Sequence, residues 1–400
     1  MSLFGNLEYL APDEFNDIRL KLANDDSDCK IDISAGVYRD EKGKPYVLPS
    51  IRKAKDLLHL SKEGHDYNLC LGIPDFVQCA ARIAVGESAM KEGKVASCQT
   101  IGGTGACHLG SAFLAQYCGF KNFYLGIPAW PNYIPLIEQA GGKIITYNYY
   151  DPEKKTVDFS SLVDAMNCAP KNSVFILQLC CHNPTGTDLT REQWATLASI
   201  MKIRGLIPFI DGAYQGLASG SLEEDAWPVR MLINTGLDIL FCQSFSKSLG
   251  LYGERVGCLH IVSQNPTFTD VVRDTIRYIF RAECSSSPAF GARLVSQVSN
   301  SPELMSQWND DLEKIFCRLN TIRQMVYDTL TTKYETPGNW EFIKTQKGLF
   351  WFSGLGPEQV KKMIEEFHIY LPRNGRINIA GLNDNNVQLF CSIFDRIIKN

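Results

Sequence analysis

The feature that most constrains the fold is an alternation of apolar runs and helical patterns in the middle of the chain. Residues 174–179 and 206–210 form two short apolar runs, and the second run ends at Asp211. Between them, Thr190 and Gln193 have the spacing of a capping box, which marks a helix start. Apolar residues follow at helical spacing, namely Trp194, Leu197, Ala198 and Met201. This order predicts an α/β fold with a mostly parallel sheet covered by helices on both faces.

Length and patterning also predict a division into domains. A chain of 400 residues, 45% of them hydrophobic, can bury more than one core. Apolar residues at helical spacing from 312 to 326 predict a long helix that leads into a C-terminal unit with a short sheet pattern at 348–352 and a final helix. The N-terminal segment has one helix and too little apolar content for its own core, so we expect it to pack with this unit or with a second subunit. We predict an N-terminal arm and part of a small α/β domain at 1–44, a large domain at 45–312, and the rest of the small domain at 313–400.

Charge and cysteine usage exclude several classes of protein. The formal net charge is -4, which gives no reason to expect nucleic acid or an anionic membrane as a partner. No apolar run is long enough to span a bilayer, and neither a secretory signal nor an Arg-rich transit peptide is visible. The 14 cysteines form no C-x-x-C pair and the six histidines have no metal-ligand spacing. We therefore expect a cytoplasmic protein with free thiols and no metal site.

A polar loop at residues 244–255 carries the most informative side chain, Lys247. The loop separates two apolar runs, at 239–242 and 256–262. A lysine is rarely held between buried strands without a functional reason. Its amine can form a Schiff base with a carbonyl, and Ser244 and Arg255 can hold a phosphate nearby. This combination predicts a lysine that binds pyridoxal phosphate (PLP).

Two other segments suit the same cofactor, although each also has an ordinary structural interpretation. Gly103 and Thr104 lie in a glycine-rich segment before a helical pattern, where backbone N–H groups can approach a phosphate. The alternative is a tight turn. Asp211 ends an apolar strand, where a carboxylate needs a positive partner such as a pyridine nitrogen, and Tyr214 could reach the ring oxygen. The alternative is an aspartate that caps the following turn.

Four more residues are candidates for contacts with the ring or the substrate. Asn183 follows the strand at 174–179 and could bond a ring oxygen or a carboxylate, although Asn-Pro is first of all a turn signal. Trp130 could stack on a ring, or it could be a core aromatic. Arg376 and Arg281 interrupt apolar surroundings and could bind a dicarboxylate, but each could also be a solvated surface arginine.

These motifs together resemble the class I aminotransferases of PLP fold type I and, within them, the aspartate aminotransferases. The matching segments run in family order over nearly the whole chain and are residues 36–39, 102–105, 182–186, 211–216, 244–247 with 255–257, and 375–378. The resemblance implies a large PLP-binding domain and transamination between L-aspartate and 2-oxoglutarate, giving oxaloacetate and L-glutamate with ping-pong kinetics.

The resemblance also implies a role for each candidate. Lys247, Asp211, Tyr214 and Trp130 would be catalytic, with Lys247 bound covalently to the cofactor and moving the α-proton. Gly103, Thr104, Ser244, Ser246 and Arg255 would hold the phosphate, and Asn183 would help Tyr214 to hold the ring oxygen. Arg376 would bind the α-carboxylate with Gly36, Trp130 and Asn183. The active unit would be a homodimer with shared sites, in which Tyr67 reaches the neighbouring phosphate and Arg281 the neighbouring distal carboxylate.

Three departures from the family pattern affect the surroundings of these residues. Gln178 stands where the aspartate enzymes usually have a histidine behind Asp211, and Tyr133 replaces a second histidine. Both exchanges bear on how firmly Asp211 is held. Ser286, in the segment after Arg281, replaces an asparagine and puts the shape of the distal pocket in question. The alternatives that stay open are an aromatic or broad-specificity aminotransferase, a β-lyase or decarboxylase, and a non-catalytic protein of the same fold.

Overall fold

The computed structural model describes residues 3–9, 12–61 and 63–399. Its strands in chain order are β1 (Ile31–Asp32), β2 (Val95–Ile101), β3 (Asn122–Ile127), β4 (Lys143–Asn148), β5 (Tyr150–Asp151), β6 (Thr156–Val157), β7 (Val174–Gln178), β8 (Ile207–Gly212), β9 (Ile239–Ser244), β10 (Val256–Val262), β11 (Phe350–Phe352), β12 (Ile369–Tyr370) and β13 (Arg376–Asn378).

The α-helices are α1 (Glu14–Ala23), α2 (Pro49–Leu60), α3 (Pro74–Val85), α4 (Glu87–Lys91), α5 (Gly102–Ala112), α6 (Tyr133–Gln139), α7 (Phe159–Cys168), α8 (Arg191–Arg204), α9 (Leu222–Asp225), α10 (Trp227–Asn234), α11 (Thr269–Glu283), α12 (Ala289–Asn300), α13 (Pro302–Asp328), α14 (Phe342–Thr345), α15 (Pro357–Phe367) and α16 (Val387–Lys399). Short π- or 3-10-helical turns lie at Phe113–Tyr117, Pro266–Phe268, Thr329–Lys333 and Ile379–Gly381.

Seven strands form the central sheet, in the order β2-β10-β9-β8-β7-β3-β4. The neighbours from β9 to β4 are parallel, whereas β10 pairs antiparallel with both β9 and β2. The predicted strand–helix–strand unit is present as β7, α8 and β8, and Thr190 and Gln193 form the capping box at the start of α8. The prediction of a mostly parallel α/β sheet is therefore confirmed.

Both faces of this sheet are buried, because successive side chains of a strand point to opposite sides. On β8, Phe209 and Ile210 belong to two different apolar clusters, and Leu240 and Phe241 of β9 are divided in the same way. Helices α5, α6 and α11 pack on one face, and α3, α8, α10, α12 and α13 pack on the other. Burial on both faces explains why these strands read as continuous apolar runs in the sequence.

The C-terminal unit is joined to both ends of the chain. The predicted long helix is α13, which begins after Ser301, and the side chain of Ser301 caps it by accepting from the N–H of Leu304. β1 pairs in parallel with β12, so the N-terminal segment packs against the C-terminal one, as expected. β11 pairs with β13 and places Phe352 opposite Arg376. The predicted boundary at 312 falls within α13, and the division into domains stays a prediction.

One edge of the sheet collects the ends of the strands that precede the predicted site residues. β3, β7, β8 and β9 all end at this edge, and β2 ends there directly before Gly102. The antiparallel strand β10 begins at the same edge, directly after Arg255. In open α/β sheets the carboxyl ends of the strands are where ligands bind. The fold therefore brings segments from distant parts of the sequence to one place.

Candidate active site

A cavity of about 90 Å³ lies at this edge of the sheet. Its lining consists of Gly103, Thr104, Trp130, Gln178, Asn183, Asp211, Ala213, Tyr214, Ser244, Ser246, Lys247 and Arg255. All of these except Gln178 and Ala213 belong to the set that the sequence predicted as cofactor-binding or catalytic. The tertiary structure therefore gathers ten candidates, spread over more than 150 residues of sequence, around one small space.

Lys247 stands in the loop between β9 and β10 and keeps part of its surface open to the cavity. The loop is held by its neighbours, because Phe245 is buried in the core and the indole N–H of Trp308 donates to the carbonyl of Ser248 at 2.8 Å. The Lys247 Nζ lies 5.1 Å from the centre of the Tyr214 ring. Burial lowers the pKa of the Lys247 amine; Asp211 opposes this shift, and Arg255 and Arg376 add to it.

Asp211 is buried at the end of β8, and both carboxylate oxygens have a donor. The Tyr133 hydroxyl donates to Oδ2 at 2.5 Å, and the N–H of Ala213 donates to Oδ1 at 2.9 Å. Burial raises the pKa of Asp211, whereas the Tyr133 hydrogen bond, the Lys247 charge and the Ala213 N–H lower it. Burial also raises the pKa of Tyr133 well above its usual range, so this phenol stays neutral and acts as a donor. The two donors and the lysine thus support an ionised carboxylate in a buried position.

The phosphate-binding candidates form a small polar cradle where β2 meets α5. Gly102 has a φ of 64°, and a side chain there would lie 2.6 Å from the Arg255 guanidinium. Arg255 itself donates to the Ser246 hydroxyl at 3.4 Å. A Cβ on Gly103 would approach the Ser244 side chain to 3.0 Å. The glycines therefore let the start of α5 come close to both serines and the arginine, which is the arrangement an anion needs.

Arg376 lies at the start of β13 and is held by two oxygen acceptors. Its Nη1 donates to Asn183 Oδ1 at 2.9 Å, and its Nη2 donates to the carbonyl of Ser34 at 2.7 Å. Its guanidinium stacks 4.4 Å from the centre of the Phe350 ring. Its Nε is buried and has no hydrogen-bond partner among the described residues. A guanidinium held in place with its fork of donors suits a carboxylate ligand.

Phe350 is a site residue that the sequence analysis did not identify. Its ring packs edge-on against Tyr214, with 5.8 Å between centres, and lies beneath Arg376. A Cβ on Gly36 would come within 2.9 Å of the same ring, so only glycine fits there without a shift. The apolar pattern at 348–352 predicted the strand. It did not indicate that Phe350, the first residue of β11, would contact three predicted site residues, namely Gly36, Tyr214 and Arg376. Their meeting depends on the pairing of β11 with β13.

Four predicted site residues do not line this cavity. Arg376 and Gly36 are connected to its lining, Arg376 by its hydrogen bond to Asn183 and Gly36 by its contact with Phe350 beside Tyr214, whereas Tyr67 and Arg281 lie on other surfaces. Tyr67 is 90% exposed. Arg281 is an exposed residue near the end of α11, and it lines a separate groove of about 750 Å³ together with Arg273 and Arg277. Within the described part of one chain, neither residue therefore contributes to the space around Lys247. The Ser286 hydroxyl accepts from the N–H of Asn68 at 3.1 Å, so the two segments that carry Tyr67 and Arg281 are tied together.

The two exchanged residues near Asp211 have partners that differ from each other. Tyr133 is the side chain that bonds Asp211, and its ring packs edge-on against Trp130 at 5.2 Å between centres. Gln178 pairs with Asp211 across neighbouring strands, but its amide bonds the backbone of Asn183. Gln178 thus occupies the predicted position beside Asp211, but within the described residues its amide makes no hydrogen bond to that carboxylate. The register of β7 and β8 places Gln178 beside Asp211, but it does not determine the direction in which the Gln178 amide points.

Among residues 3–9, 12–61 and 63–399, no group of three or more His, Cys, Asp or Glu side chains could hold a metal ion. The helices within the same ranges are too short or too polar to cross a bilayer.

Known proteins that are similar to this chain point to one family. Residues 28–394 match the family described as "Aminotransferase class I and II". The chain is 38% identical to the protein named "Aspartate aminotransferase, cytoplasmic" from Saccharomyces cerevisiae, over 100% of this chain and 97% of that protein. The solved structure of the aspartate aminotransferase from Saccharomyces cerevisiae cytoplasm has a TM-score of 0.96 at 38% identity, covering 99% of this chain and 98% of that chain.

A second similar structure is that of an enzyme with its cofactor bound. It is an aromatic-amino-acid aminotransferase from Burkholderia pseudomallei, covalently bound to pyridoxal phosphate, with a TM-score of 0.96, 32% identity and coverage of 100% of both chains. The similarity in each case extends over nearly the whole length of the chain. The structure of this chain also has a cavity at the strand ends that is lined by Lys247, Asp211 and the phosphate-binding candidates. This chain belongs to the class I and II aminotransferases.

Proposed function

We propose that this protein is a PLP-dependent aspartate aminotransferase, which transfers the amino group of L-aspartate to 2-oxoglutarate and gives oxaloacetate and L-glutamate. The observation that carries the proposal is the convergence of Lys247, Asp211 and the Arg255 cradle on one cavity, with Arg376 hydrogen-bonded to Asn183 in its wall. The relatives named as aspartate aminotransferases support the choice of substrate.

The residues present suit PLP at each of its polar groups. The cradle of Gly103, Thr104, Ser244, Ser246 and Arg255 suits the phosphate, because backbone N–H groups, hydroxyls and a guanidinium all donate. Asp211 suits the pyridine nitrogen, since its ionised form keeps that nitrogen protonated. When bound, PLP supplies an aldehyde that condenses with amines and a ring that takes up electrons from the substrate's α-carbon.

Lys247 has two tasks in this scheme. It would hold the cofactor covalently between turnovers, and its amine, once free, would take the α-proton of the substrate. Burial and the nearby arginines lower its pKa, which raises the neutral fraction of the amine at neutral pH. Tyr214 and the Asn183 amide can donate to a ring oxygen, and Trp130 can cover one ring face.

Substrate carboxylates are assigned to two arginines. Arg376 binds the α-carboxylate with Gly36 and Asn183, and Trp130 lines the same cavity as Asn183. We propose that the distal carboxylate is bound by Arg281 from a second copy of the chain, and that Tyr67 of that copy reaches the phosphate. The exposure of both residues on one chain supports a homodimer with shared sites. Relatives named as cytoplasmic support the cytoplasm as the location.

The first test is an absorption spectrum of the purified protein loaded with PLP, before and after aspartate is added without an acceptor. The expected result is a visible band that disappears as the cofactor is converted to its amine form and one equivalent of oxaloacetate is released. Initial rates should then follow ping-pong kinetics. A protein that binds no PLP, or intersecting rate plots, would contradict the proposal. Pyruvate or carbon dioxide formed without an acceptor would favour a β-lyase or decarboxylase.

An aromatic or broad-specificity aminotransferase is the second candidate. The similarity to the aromatic-amino-acid enzyme from Burkholderia pseudomallei, with a TM-score of 0.96, favours it specifically. The two candidates differ in kcat/KM for aspartate and for phenylalanine or tyrosine. A ratio that favours the aromatic amino acids would select the second candidate.

A further inference from the structure

Gln178 uses both ends of its side-chain amide on a single neighbour. It is the last residue of β7 and it lines the cavity. Its Oε1 accepts from the backbone N–H of Asn183 at 2.8 Å, and its Nε2 donates to the backbone carbonyl of Asn183 at 3.0 Å. The orientation of the amide is unambiguous, because the N–H requires an acceptor and the carbonyl requires a donor.

This pair of bonds fixes a residue that has little other freedom. Asn183 is 7% exposed, so its N–H and carbonyl would lack solvent if Gln178 were removed. The side chain of Asn183 is oriented from the other direction, since Arg376 can only donate and therefore selects Oδ1. Arg376 in turn is anchored by the carbonyl of Ser34. A continuous path of hydrogen bonds thus runs from the end of β7 to the guanidinium.

We propose that Gln178 is a positioning residue for the substrate's α-carboxylate, acting through Asn183 on Arg376; this rests on the proposed function. The competing role, in which Gln178 acts on Asp211, is not favoured by the contacts. Tyr133 and Ala213 supply the donors to the Asp211 oxygens, whereas the Gln178 amide is used on Asn183. Gln178 therefore sets the geometry of carboxylate binding and not the charge of the aspartate.

Two variants of the PLP-loaded enzyme test this role. Gln178→Met keeps the length of the side chain and removes both hydrogen bonds, and Gln178→Glu keeps the acceptor but loses the donor. Gln359→Met is the matched control, because Gln359 is also half-buried and its amide accepts from the N–H of Gly356 and donates to the carbonyl of Ile397, outside the cavity. The probe is succinate, an unreactive dicarboxylate, with its Kd measured by calorimetry.

We expect Gln178→Met to weaken succinate about tenfold and to raise KM for every amino donor by a similar factor, while the acidic limb of the pH–rate profile, which reports Asp211, stays where it is. Gln178→Glu keeps one bond but sets a carboxylate oxygen against the Asn183 carbonyl and adds a negative charge, so it should weaken succinate at least as much as Gln178→Met, and it provides the comparison if the Met variant folds poorly. The Gln359→Met control should bind succinate as the wild type does.

Unchanged succinate binding in both Gln178 variants would overturn the proposal. A lower kcat with unchanged KM and a shifted acidic limb of the pH–rate profile would also overturn it, because that pattern assigns Gln178 to the Asp211 side. Failure of the proposed function has a different signature, namely a wild-type enzyme that neither converts aspartate nor binds succinate. In that case, KM for the amino acid that the enzyme does accept is measured for the same variants, because that substrate also has an α-carboxylate.

Discussion

The two ends of the proposed active site differ in how much of them one chain supplies. At the cofactor end, Lys247, Asp211 and the Arg255 cradle face one cavity, and Asp211 is hydrogen-bonded on both oxygens. At the distal-carboxylate end, the predicted residue Arg281 is exposed and does not line that cavity, and the same holds for Tyr67, which is predicted to reach the phosphate of a second copy.

This difference separates chemistry from substrate choice. Apart from Tyr67, the residues that would hold the cofactor and move the proton are set by the strand ends of a single sheet, so they are fixed as soon as the chain folds. The residues that would recognise the substrate side chain depend on a second copy. Variants at the two ends should consequently fail in different ways, and the predictions below begin with the largest expected effect.

Lys247→Ala should reduce turnover by at least about 10⁴-fold, because it removes both the covalent attachment and the general base. The fold should survive, since the change removes a partly buried charge and no core contact. Turnover of aspartate and the thermal midpoint, measured on the same preparation, check this. Lys91→Ala, at an exposed pair with Glu87, is the control and should be fully active. Activity retained by Lys247→Ala would exclude the assigned role.

Arg376→Ala should lower kcat/KM by about 10²- to 10³-fold for all amino donors, because every donor has an α-carboxylate and each charge-assisted hydrogen bond contributes about 1.5–3 kcal/mol. The measurement is kcat/KM for aspartate and for phenylalanine. Arg376→Lys should recover only part of the loss, since an ammonium cannot bind a carboxylate with a fork of donors. A loss confined to aspartate would move Arg376 to the distal position.

Arg281→Ala should lower kcat/KM by about 10²-fold for aspartate and glutamate and mostly spare tyrosine and phenylalanine, because only the first pair has a distal carboxylate. Arg277→Ala is a matched control one turn earlier on α11, and it should change little the ratio of kcat/KM for aspartate to kcat/KM for phenylalanine. Equal losses for all four substrates would remove Arg281 from substrate recognition. Mixed dimers of Arg281→Ala with Lys247→Ala should regain part of the activity if sites are shared.

Tyr133→Phe should have the smallest effect, a loss of about tenfold or less in kcat, corresponding to one hydrogen bond to a carboxylate. Burial already raises the pKa of Asp211, and the Tyr133 hydroxyl lowers it, so removing that hydroxyl raises this pKa further. Asp211 then becomes protonated at a higher pH, and the acidic limb of the pH–rate profile should move to higher pH. An unchanged acidic limb would contradict a role for Tyr133 in keeping Asp211 ionised.

The sequence predicted most of the cofactor end and less of its surroundings. Lys247, Asp211 and the glycine-rich start of α5 could be found because each follows or interrupts an apolar run, which is a local signal. The partners of Tyr133 and Gln178 could not be found in this way. A phenol on α6 reaches Asp211 through packing across the sheet, and the direction of the Gln178 amide depends on where the loop to Asn183 returns.

The same limit applies to the fold. The capping box of α8 and the long helix α13 were predictable because capping and helical periodicity involve residues a few positions apart. The pairing of β1 with β12 joins residues more than 300 positions apart, and strands of two or three residues carry almost no periodic signal. Phe350 became a site residue only through one such short pairing.

The sequence by itself determined the α/β class, the family resemblance and the identity of the reactive residues, because these depend on residue type and short-range spacing. Tertiary structure alone decided which of those residues face one cavity, which donor holds Asp211 and which residue orients Asn183. The physical reason is that hydrogen bonds between distant segments are selected by the closing of the sheet and the packing of helices on it. No local preference of the chain encodes those distances.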